Sequence, residues 1–134
     1  MSDPEAAERL AKRLVTLLGM IGTADLVESD AITFTYRDRP GTVQVLPLAT
    51  GLDVIALTLV VAWDRPSTPQ LRDDVERLSL DLSFGTLKRA ERDGMSDVLL
   101  YYTFPASGLK DAALLTLVEL VLSAGADAGE ALSR

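Results

Sequence analysis

At 134 residues the chain has room for one domain, and with 48% hydrophobic and 25% charged residues it has the composition of a folded globular protein. Its 20 acidic against 13 basic residues leave a net charge of -7, which disfavours unspecific contact with nucleic acid or anionic lipid, because phosphate binding rests on Lys and Arg. Cysteine and histidine are both absent, so disulfides, thiolate nucleophiles, most zinc sites and the usual neutral-pH general base are excluded.

The start, Met1-Ser2-Asp3-Pro4-Glu5, is acidic and carries no apolar run, so no secretory signal is expected and the protein reads as cytoplasmic. Ser2 or Asp3 caps a first helix with Pro4 at its first position, and Gly19 stops it. Leu10, Leu14 and Leu17 with Ala6 and Ala7 form its apolar face. Asp25, Glu28 and Asp30 follow in a predicted loop; their spacing matches no calcium loop, so a solvated turn is expected rather than a metal site. Ile32, Phe34 and Tyr36 alternate with Thr33, Thr35 and Arg37, the period of a half-buried strand. Asp38-Arg39-Pro40-Gly41 is turn chemistry that returns an antiparallel strand over Thr42 to Leu46, and Pro47 should end its ladder. Val54 to Trp63 is apolar on both alternations, so both faces of that strand should be covered. Trp63, at its end, is expected to lid the core rather than stack on a ligand.

Ser67 or Thr68 caps a second helix with Pro69 just inside it. Leu71, Val75, Leu78 and Leu82 lie on one narrow stripe; Asp73, Asp74 and Glu76 face away, where they stay ionised and make a charged surface rather than an acid-base pair. Thr86 to Arg92, Asp93-Gly94 and Asp97 to Phe104 form a hairpin whose Asp-Gly supplies the positive φ of the turn. The second arm is apolar on both faces, as in a central strand. Pro105 stops it, and Ser107 caps a last helix over Leu109 to Asp127. Thr116, Glu119, Ser123 and Asp127 make one polar stripe there, and Leu114, Leu117, Val118 and Val121 face away from it. With Leu115, Leu120 and Leu122 on the flanks, roughly two thirds of the circumference is apolar, over a run shorter than the ~20 residues that span a bilayer. The glycines form no phosphate-cradling pattern. The elements add up to a single α+β domain over residues 1–134, helix, three strands, helix, two strands, helix. Its expected form is an antiparallel five-stranded sheet, with the first and last helices on one face and the second helix on the other.

Leu82-Ser83-Phe84-Gly85-Thr86-Leu87 before the hairpin, and Tyr102-Thr103-Phe104-Pro105 before a short cap and the last helix, resemble the type III secretion chaperone-like family, including the YbjN-type domains. The resemblance implies a compact α+β fold, commonly dimeric, that holds a client segment by apolar patches and strand addition and has no catalytic motif. The expectation is therefore a non-enzymatic, chaperone-like protein-binding module: a homodimer with a possible client protein, without cofactor, metal or catalytic residue, and with neither nucleic acid nor membrane as partner. Leu71, Val75 and Leu78, or alternatively Leu115 and Leu122, are the expected partner or dimer surface. A different reading is a regulatory domain binding a small apolar ligand between sheet and helix, which requires a preformed cavity.

Overall fold

The structure, a computed structural model, describes residues 3–133. Helix α1 (Pro4–Leu18) opens at Asp3, whose side chain accepts the Ala6 N–H at 3.2 Å, and Pro4, with no N–H to lose, takes a first-turn position. Ser2, the alternative cap, lies outside the described residues. Six strands follow: β1 (Thr23–Glu28), β2 (Ala31–Tyr36), β3 (Arg39–Ala49), β4 (Leu52–Pro66), β5 (Thr86–Arg92) and β6 (Met95–Pro105). Helix α2 (Pro69–Leu80) connects β4 to β5, and α3 (Asp111–Leu132) follows β6. Every neighbouring pair is antiparallel, in the order β1-β2-β3-β4-β6-β5.

The sheet thus has six strands among the described residues rather than five, and the additional one is β1, where a loop is expected from the sequence. Apart from half-buried Ala24, every residue of β1 is exposed, so the strand carries no alternation that burial would impose on its sequence. The turn after β2 also differs. Arg37 and Asp38 have φ of 49° and 64°, the two left-handed residues of a tight hairpin turn, so Pro40 and Gly41 lie inside β3. Gly41 stands opposite Phe34, whose ring fills the space a Cβ would need. Nor does Pro47 end β3. The Val45 N–H points to the Asp30 carbonyl at 2.9 Å, and two residues on the missing Pro47 N–H falls on the same side, beyond the start of β2, leaving the ladder to β4 intact.

The last helix starts later and ends later than expected. Ser107 does not cap it: its hydroxyl accepts the Asp53 N–H at 2.6 Å, and α3 begins at Asp111 without a side-chain cap. It then runs 22 residues to Leu132, long and apolar enough to meet the minimum for a membrane span, which corrects the shorter run read from the sequence. Its inward face, with Leu114, Val118, Val121 and Leu122, is buried in the core. Gly125 and Gly129 let the last turns lie close on the sheet: a Cβ on Gly125 would stand 2.9 Å from Leu100 Cδ2, and one on Gly129 would collide with the Val61 carbonyl oxygen.

All three helices cover the same face. α1 lies against β1, β2 and β3, α3 lies over β4 between the other two helices, and α2 lies against β5. The second helix is therefore not on the opposite face. Its stripe buries only Leu71 and Val75, and it docks beside α3 with the Ser79 hydroxyl accepting the Leu87 N–H at 3.1 Å. The broad apolar arc of α3 is shared between the sheet and two helix neighbours, so most of it is core. Two arginines tie α3 to its neighbours: Arg13 of α1 reaches Asp111 at 2.8 Å and the Leu109 carbonyl at 2.6 Å, and Arg37, in the turn between β2 and β3, bonds Asp127 at 3.0 Å and also Glu130.

Candidate protein-interaction surface

Of the residues the sequence offers as contact surface, Leu71, Val75 and Leu122 are core, with Leu122 at 0% exposure, so Leu122 presents nothing to a partner. Leu78 and Leu115 are half-buried and pack against that core. The amphipathic stripe that suggested these residues is the face a helix turns inward, which is why it reports burial better than docking.

Three exposed apolar side chains lie instead near the end of α2, among others spread over the surface such as Met20, Val27 and Leu48. Leu80 is 82% exposed, Leu120 55% and Phe84 41%. One hollow of about 230 Å³ lies between residues 81–84 and α3, lined by Leu82, Phe84, Leu120, Val121 and Ala124. A second, of about 290 Å³, lies between α2 and β5, with Val75, Leu80 and Leu87 among its walls. Phe84 is held edge-on to Tyr102 at 5.9 Å, and Tyr102 stacks on Phe104 at 5.0 Å, so the side chain between the hollows is anchored. Beside them runs β5, which has no further strand on its outer side among the described residues, although its Leu87 N–H is already taken by the Ser79 hydroxyl. Lys88, Arg89 and Arg92 outnumber Glu91 along it, a basic margin on an acidic protein. Sequence reasoning passed over Leu80, Phe84 and Leu120. The available signal was Leu80 itself, a leucine lying off the apolar stripe of α2.

Elsewhere, Trp63 is 50% exposed and does not lid the core. An irregularity in β4 turns Val61 and Ala62 both inward and leaves Trp63 facing a cleft of about 410 Å³ shared with Arg39, Asp64, Arg65 and Ser133. Asp25 and Glu28 are exposed along β1 rather than in a loop, and Asp73 and Glu76 are exposed on α2. Asp74 accepts hydrogen bonds from Gln70 at 2.8 Å and Arg77 at 3.2 Å. No three carboxylates converge among the described residues. Arg37 is held above its ordinary pKa by its hydrogen bonds to Asp127 and Glu130.

No family model and no curated protein matches this chain. Among solved structures, the crystal structure of YbjN from E. coli, described there as a candidate transcription regulator, superposes with a TM-score of 0.59 at 11% identity. The match covers 88% of this chain and 87% of that one. The chain has a YbjN-like fold. At that identity the likeness extends to the architecture, and the YbjN-like arrangement of helices on a sheet agrees with the resemblance read from Leu82 to Leu87 and from Tyr102 to Pro105.

Proposed function

We propose that this chain is a non-enzymatic, chaperone-like protein-binding module of the cytoplasm, which holds an extended client segment along the margin formed by α2, residues 81–84 and β5. The observation that carries the reading is the placement of exposed Leu80, Phe84 and Leu120 around two hollows beside β5, which has no further strand on its outer side among the described residues. Strand addition uses such an edge for main-chain hydrogen bonds and flanking pockets for alternate side chains. The basic residues of β5 favour a client segment that places acidic residues among its apolar ones. A role in regulation, as described for YbjN, fits a protein contact better than a nucleic-acid contact at a net charge of -7.

The other reading, a small apolar ligand held between sheet and helices, has less behind it. The space between the layers is filled by Leu57, Leu59, Leu114 and Leu122, each at 1% exposure or less. Capture of interacting segments with the wild type, Leu80→Asp and Leu120→Asp tests the client margin. Both side chains are exposed, so the variants should melt with the wild type yet lose the captured segment by at least about tenfold. Undiminished capture by both variants would remove the client from this margin.

A further inference from the structure

β4 and β6 are apolar on both alternations, yet the helices cover one face of the sheet only. Val60 pairs with Leu99 and Thr58 with Tyr101 on the uncovered face, at the centre of the sheet. On β2 and β3 that face carries no charged residue; at one end of β4 and β6 it carries Asp64 and Asp97, which share Arg92 at 3.9 Å and 3.7 Å, so the centre of the face is free of charge. Its remaining charges sit at the two margins and differ in sign. Asp25 and Glu28 project from β1 beside Thr33 and Ala31, and Lys88 projects from β5 with its Nζ 5.5 Å from the Tyr101 ring centroid.

We propose that this open face is the contact between two copies of the chain, stacked sheet on sheet about a two-fold axis parallel to the strands. Two copies of an acidic protein repel unless the surface they share is free of uncompensated charge, and a charge-depleted centre of mixed apolar and hydroxyl side chains meets that condition. The two apolar alternations of β4 and β6 are then both accounted for, one by the helices and one by the second sheet. The margins select the axis. With the axis parallel to the strands, β1 of one copy lies over β5 of the other, so acidic faces basic; with the axis across them, Asp25 and Glu28 would face their own copies. Asp25 shares its cross-strand row with Thr86, two residues from Lys88. That offset places Asp25 within about 7 Å, along the strand, of the partner's Lys88.

The apolar side chains of the client margin, Leu80, Phe84 and Leu120, lie outside this contact; Lys88 borders both surfaces, so the Leu80 and Leu120 variants, not those at Lys88, report on the client. Sedimentation equilibrium over a concentration series, on the full chain, tests it. The wild type should dimerise, and Thr42→Lys, at an exposed central position, should weaken the dimer at least about tenfold while melting with the wild type at a concentration where both are monomeric. Asp25→Lys and Lys88→Asp should each weaken it, and the double exchange should restore it. Leu80→Asp should leave it as it is, which separates this contact from loss of client binding. A wild type that stays monomeric at every concentration, or a dimer indifferent to Thr42→Lys, would overturn the interface; single exchanges that weaken without restoration in the double variant would overturn the axis.

Discussion

The two faces of the sheet are built from the same strands and behave as different materials. Along β4, Ile55, Leu57, Leu59 and Val61 are at 1% exposure or less beneath α3, whereas Ala56, Thr58 and Val60 between them are only half-buried. The covered face is close-packed to the point that glycine is needed where α3 meets β4; the open face is shaded only by its own neighbouring side chains. Burial on this scaffold is thus decided by where the helices go, and the strand sequences alone, apolar on both sides, do not reveal that one side lacks a helix.

Adjacent residues of one strand give the sharpest contrast. Leu57→Ala should cost about 3 kcal/mol by leaving a cavity in the filled layer. Thr58→Ala, one residue on, should cost about 0.5 kcal/mol, both read by denaturant unfolding at a concentration where the chain is monomeric. Equal losses would mean that the open face is as tightly packed as the covered one. Gly129→Ala should follow at about 2 kcal/mol, because its new Cβ meets the Val61 carbonyl oxygen and the helix must move off the sheet, a loss only partly offset by better helix propensity. Unchanged stability there would show that the last turns of α3 stand further from β4 than described. Thr68→Ala should cost least on the covered side, about 1 kcal/mol, through loss of the hydroxyl that accepts the Leu71 N–H at 3.1 Å.

Local chemistry was the legible part of this sequence. The Asp3-Pro4 start of α1, the Thr68-Pro69 start of α2 and the Asp93-Gly94 hairpin each follow from a side-chain cap or a left-handed turn written in two residues. What escaped depends on tertiary placement. β1 is an edge strand whose exposed residues need no pattern, so its Asp25 and Glu28 read as a loop. The sequence pattern stops the last helix at Asp127, whereas it runs on to Leu132, with Gly125 and Gly129 at the positions where α3 comes close to the sheet. The contact residues escaped for a related reason: periodicity selected Leu71, Val75 and Leu122, which the fold consumes, and could not select Leu80, Phe84 and Leu120, whose exposure depends on how α2 docks beside α3.

The most direct measurement is the relaxation of methyl resonances by a soluble paramagnetic probe, followed from dilute to concentrated protein. Val60 and Leu99 on the open face should relax quickly when dilute and become protected as the second copy covers them, while Leu80 and Leu120 on the client margin stay accessible throughout. If Val60 and Leu99 remain as accessible as Leu80 over the whole range, the open face is a solvated surface and the two-copy account is wrong.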